Sequence, residues 1–338
     1  MEENQILLSR KILSLIYDKI NSSTDLIKGN GILEGKIGMV LFLYNYARLM
    51  HSKKVQKDAD FLLDEIWESV HRSSLTNSFY SGHLGVAWAL SELGKHSFLD
   101  IDDTINSYFE LIDFYVLRDQ KTKIPILIDI ESGLFVSGIY LLSRCTLSDL
   151  GLDINYYWRE NAIYLIEDSE RILYRRTGCN NVFLPELTLS LLNSILYFLI
   201  KVHKQKIYPY KTNVLIKYLY EQIKQLINQS NIQDIIVSQC LLLTISDEIS
   251  YGDADLIDEH IYQSKIQGES MLDMLAALGL YTLLYDDKSI FEKVYSIIQN
   301  DIEYLKLVYH KLTSHKQISG RTLFGLGYIF LNIINEKE

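Results

Sequence analysis

Three residues stand where their type and setting could do chemistry. Asp129 opens the run DIESGLFVSGIYLLSR, His83 follows Gly82 in SFYSGHLGVAWALSEL, and Asp273 interrupts the apolar run SMLDMLAALGLYTLL. A carboxylate at a helix start can cap backbone N–H groups or serve as a general acid or base. A histidine beside a glycine can donate a proton, bind a ligand or sit satisfied in the interior. A carboxylate in an apolar run is costly to bury unpaired, so Asp273 should line a cavity or cap a helix. The three cysteines, Cys145, Cys179 and Cys240, form no CxxC or Cys-His pair. An odd number of scattered thiols suits a reducing compartment, and Cys240 reads as a small core residue. Ser190, Ser238 and Thr322 suit local backbone bonding.

These residues are spaced by a repeat. Gly35, Gly82 and Gly133 lie at similar intervals, each followed by an apolar run, and RTLFGLGYIFLNII repeats the theme near the C-terminus. Recurrence at this period marks an array of supersecondary units. The glycine-bearing runs are apolar almost all round, as expected of helices covered on every side. Between them lie stretches with one wet face, such as FLLDEIWESV at 61–70, and others at 156–173, 214–227 and 290–312. Alternation of the two kinds predicts helical hairpins with inner and outer members. Inner helices are expected near 33–50, 83–94, 133–145, 186–203, 235–246, 270–285 and 322–334, with seven outer helices between. Glycine costs about 1 kcal/mol against alanine inside a helix. Its repeated use implies close approach of neighbouring backbones. Because every repeat runs glycine first, the helix starts should share one mouth. Their N–H groups and dipoles would favour carbonyl-bearing or anionic ligands there.

Composition limits the alternatives. The chain has 338 residues, 48% hydrophobic, only three prolines and no linker-like stretch, so one continuous domain over 1–338 is expected. The net charge is −10 and no lysine–arginine stripe stands out, which argues against a nucleic-acid partner. The most apolar stretch, 187–200, is too short and too interrupted for a membrane span, and the N-terminal segment is acidic and amphipathic, unlike a signal peptide. A cytoplasmic location is therefore expected.

GILEGKIGMVLFLY, SFYSGHLGVAWAL, DIESGLFVSGIYLL and LFGLGYIFL resemble the first three and the last inner-helix repeats of the lanthionine synthetase C-like (LanC-like) family. The resemblance implies an all-α fold, an α/α toroid of about seven helical hairpins. In the family's cyclases a zinc ion activates a peptide thiol for addition to a dehydrated serine or threonine. The resemblance makes Asp129 the match to the family's active-site aspartate, and so the candidate catalytic residue, with His83 and Asp273 as candidate ligand-binding residues. It puts the family's zinc-binding cysteine near Ile236, with Cys240 a turn further on, its adjacent cysteine and histidine ligands at Leu272 and Asp273, and another family histidine at Ser190. Aliphatic side chains cannot ligate zinc, so no metal and no cofactor are expected. The resemblance without its metal ligands implies a pseudoenzyme that binds a peptide substrate or a partner modification enzyme in lanthipeptide-type biosynthesis. The alternatives are an active cyclase or related peptide-modifying enzyme using Asp129 without a metal and, with less support, a carbohydrate-active α/α toroid needing two carboxylates.

Overall fold

The computed structural model describes residues 2–23, 29–32, 35–72, 82–121, 134–147, 152–174, 187–226, 302–314 and 318–335, together with 238, 241, 272, 275, 276 and 279. Among these residues the protein is all-α, with no strand beyond one isolated bridge between Gly29 and Gly35. In chain order the helices are α1 (Glu2–Ser23), α2 (Lys36–Leu49), α3 (Lys53–Arg72), α4 (His83–Lys95), α5 (Asp103–Lys121), α6 (Leu134–Leu147), α7 (Leu152–Leu173), α8 (Leu189–Lys204), α9 (Pro209–Leu226), α10 (Ile302–Ser314) and α11 (Gly320–Asn335).

Five of the seven expected inner spans coincide with α2, α4, α6, α8 and α11. The 235–246 and 270–285 spans lie largely outside the described residues. The two kinds of helix differ as their composition requires. Ten of the fourteen residues of α2 are buried, so the helix has no wet face. On α3 the buried residues are Val55, Ala59, Leu62, Ile66 and Val70, a single stripe at three- and four-residue steps with the rest turned outward. α8 repeats the first pattern, and α9 the second.

The chain divides into two compact units, residues 1–74 with 253–338, and residues 75–252. In the second unit α4, α6 and α8 pack side by side, and each also packs against the helix that follows it, α5, α7 or α9. In the first unit α2 packs against α11 and pairs with α3. The outer cover of α11 is α1, which packs against both α10 and α11, so the first helix of the chain pairs with the last. Tyr17 of α1 ties it to α3 through a hydrogen bond to Asp58 at 2.6 Å.

Local chemistry sets the boundaries. α8 starts at Leu189 rather than 186 because Thr188 accepts a hydrogen bond from the Leu191 N–H at 3.3 Å. α11 starts at Gly320 because Ser319 caps the Thr322 N–H at 3.1 Å. Three inner helices, α2, α4 and α8, end in the same way. His51, Ser97 and Lys206 adopt φ of 46°, 55° and 55°, and the next residue's N–H bonds back to Ala47, Leu93 and Val202 respectively. This is the Schellman ending, which satisfies carbonyls that the terminating helix leaves open.

Glycine permits the expected close approach in the first unit. A β-carbon on Gly279 would fall inside the carbonyl oxygen of Gly325, and one on Gly325 would strike the Ala276 backbone. At Ala276 and Gly279 the backbone therefore touches that of α11 at Gly325, a separation that any side chain would prevent.

Charge is less evenly spread than the whole-chain balance implies. Residues 201–220 contain five lysines and no acidic residue, so the rest of the chain carries a net −15 against a total of −10. This local concentration lies at the α8–α9 corner.

Candidate functional site

The repeat pattern predicts inner-helix starts that expose N–H groups to a shared mouth. At three of them such groups are already engaged. At α2 the chain folds back over its own helix start: Lys36 N–H donates to Gly29 O at 2.9 Å and Ile37 N–H to Asn30 O at 3.3 Å. Gly35 is required there, because a β-carbon would collide with the Gly31 backbone. Asn30 and Lys36 fix this loop to α3 through Ser69 at 2.9 Å and Glu65 at 2.7 Å. Thr188 and Ser319 do the corresponding work at α8 and α11 by capping Leu191 and Thr322. Those N–H groups are therefore already satisfied within the chain at these three ends.

His83 is the first residue of α4, after Gly82 in extended conformation, and is 4% exposed. Tyr108 of α5 holds it. The Tyr108 hydroxyl donates to the His83 carbonyl at 3.2 Å, and the two rings lie 6.3 Å apart. Burial pushes the Tyr108 hydroxyl well above its ordinary pKa, so it stays a neutral donor. His83 is thus packed against the first hairpin of the second unit as part of its interior. Asp129 and Asp273 lie outside the described residues, as do Ile236 and Cys240.

Leu272, assigned by the resemblance to a zinc ligand, is helical and 7% exposed. It has no lone pair to offer a metal. Ser238, two residues beyond Ile236, is fully buried and donates to Asn193 Oδ1 of α8 at 2.8 Å. That bond joins the fourth and fifth repeats through neutral groups. Among the described residues, no three His, Cys, Asp or Glu side chains gather as a metal site would need. Ser190 is half-buried in the first turn of α8, where its carbonyl accepts from Ser194.

One charged constellation lies outside the sequence-based expectations. Asp113 of α5 accepts from the Tyr140 hydroxyl of α6 at 2.7 Å and from Arg144, also of α6, at 3.4 Å. The Arg144 guanidinium lies 4.2 Å from the centre of the Phe109 ring. Burial raises the Asp113 carboxyl above its ordinary pKa, with Arg144 and then Tyr140 opposing the shift. Burial and the adjacent Asp113 carboxylate push the Tyr140 hydroxyl far up. Tyr44 of α2 makes the same kind of bond to Asp60 of α3, at 2.6 Å. An inner-helix tyrosine bonded to an outer-helix aspartate thus recurs in both units. The available signal was an arginine ending the apolar run GIYLLSR and an aspartate within FELIDFY.

Paired inner and outer helices, with glycines at the inner starts, define an all-α helical-hairpin protein. Residues 27–155, which span the first three inner repeats, match the family described as "Lanthionine synthetase C-like protein". No curated protein and no solved structure matches the chain.

Proposed function

We propose that the protein is a zinc-free LanC-like accessory protein, a single α/α toroid over residues 1–338. It binds a peptide or a partner enzyme in ribosomal peptide modification in the cytosol. The observation that carries this reading is Leu272, a buried aliphatic residue where the resemblance calls for a metal ligand. Without a metal or a base a thiol stays mostly protonated near neutral pH, and its addition to an alkene is slow. The fold is kept because the hairpins still bury an extensive core. In this reading Asp129 and Asp273 contact the bound peptide, and His83, buried beside Tyr108, holds the α4 start that borders them.

Two measurements test this. Protein expressed in zinc-replete medium and dialysed should carry far less than one zinc per chain by elemental analysis. Stoichiometric zinc would sink the reading. Incubated with a peptide holding one cysteine and one dehydroalanine, with or without added zinc, the protein should leave the thiol open to alkylation. Loss of the alkylatable thiol at unchanged peptide mass would instead establish a cyclase.

A further inference from the structure

At the α8–α9 corner a run of lysines lies beside exposed apolar side chains, against the acidic balance of the chain as a whole. Lys204 and Lys206 are exposed at the end of α8, and Lys217 is exposed on α9. Tyr208, Tyr210 and Val214 are exposed between them, Tyr210 at 82%. Tyr210, Val214 and Lys217 follow steps of four and three residues, so they share one face of α9. Lys206 and Tyr208, at φ of 55° and 47°, make the tight turn that joins this face to the end of α8.

Helix stabilisation accounts for only part of this. Lys201 and Lys204 sit at the negative end of the α8 dipole, where cations are favoured. The opposite holds at α9. Its first turn has no acidic residue and carries Lys211, although the positive dipole end disfavours a cation there. Glu170 of α7 pairs with Lys211 at 2.7 Å, and Glu167 lies near enough to influence it. The next acidic residue along α9 is Glu221. The basic surface is therefore bounded, a few turns long, with apolar contacts in its middle.

We propose that this corner is a docking surface for a short acidic segment of a peptide or protein partner. Carboxylates would meet Lys204, Lys206 and Lys217, and an apolar side chain would lie over Tyr210 and Val214. Exposed tyrosines offer large contact area at low conformational-entropy cost. Lysines on the rim steer an oppositely charged partner and set its register. The remaining −15 on the chain decides between polyanions. An anionic membrane or a nucleic acid is extended, and would bring its charge within a Debye length of the acidic surface as well. A short segment meets the corner alone. The proposal does not depend on whether the protein binds zinc.

The test uses the full chain and four probes. These are a short fluorescein-labelled peptide of glutamate, leucine and glycine, its lysine counterpart, a labelled oligothymidine, and phosphatidylcholine vesicles containing phosphatidylserine. The glutamate peptide should bind, more weakly as salt rises, and the lysine peptide should not. Lys204→Glu, Lys206→Glu and Lys217→Glu together should weaken binding by about tenfold or more. Tyr210→Ala should weaken it with the salt dependence unchanged. All these positions are exposed, and circular dichroism confirms that the variants stay helical. Equal binding of the two peptides, or no loss in the lysine variant, overturns the proposal. So does tighter binding to the oligothymidine or the vesicles than to the glutamate peptide.

Discussion

Replacing Arg144 by methionine removes a charge from the second unit while keeping a stem of similar length over Phe109. The ion pair it breaks is enclosed, with the Arg144 and Asp113 side chains 8% and 13% exposed and the charged atoms 3.4 Å apart. At an effective dielectric of about 20, that separation corresponds to roughly 5 kcal/mol of Coulomb attraction, most of it offset by desolvation of both ions. Loss of one partner leaves the desolvation of the other uncompensated, which typically costs about 3–5 kcal/mol. Asp113 would keep only the Tyr140 hydrogen bond among the contacts described. The pH dependence follows from the direction of the shift. Burial already raises the folded-state pKa of Asp113, and Arg144 is the largest opposing influence. Without Arg144 the folded pKa rises further, while the unfolded value stays near about 3.9. Between those values the folded state holds a proton that the unfolded state has released. Stability therefore falls as pH rises through that window and levels off above the folded pKa. Arg144→Met should lose more stability than the parent between about pH 4 and about pH 7. Adding Asp113→Asn should restore most of the loss at neutral pH. Urea denaturation followed by circular dichroism at both pH values measures this. Equal losses at both, or a double variant no more stable than the single one, would refute the account.

Three further outcomes can be checked by the same denaturation assay. Gly279→Ala should destabilise by about 1–3 kcal/mol or more, because its β-carbon meets the Gly325 backbone, which cannot rotate away; a neutral result would mean the two helices are further apart. Ser97→Gly should stabilise by about 0.5–1 kcal/mol, since φ of 55° strains serine and suits glycine, and Ser97→Val should do the reverse. His83→Ala should cost about 1–3 kcal/mol, because the ring is buried beside Tyr108; a loss below about 0.5 kcal/mol would show that the ring is open to solvent.

The helices were legible in the sequence because their signal is local. An inner helix must be apolar all round and an outer helix apolar on one stripe, and each pattern is complete within a short window, as in α2 and α3. The glycine rule, too, could be read as a demand for close approach. What it approaches could not: Gly35 meets its own preceding loop, whereas Gly279 meets Gly325 on another helix. Tertiary structure alone decided that α1 covers α11, that Asp113 finds Tyr140 and Arg144, and that Ser238 bonds Asn193. A buried polar group must be satisfied by whichever group the fold brings within hydrogen-bonding distance, and that partner can lie tens of residues away. Periodicity fixes which face of a helix turns inward; only packing fixes what that face meets.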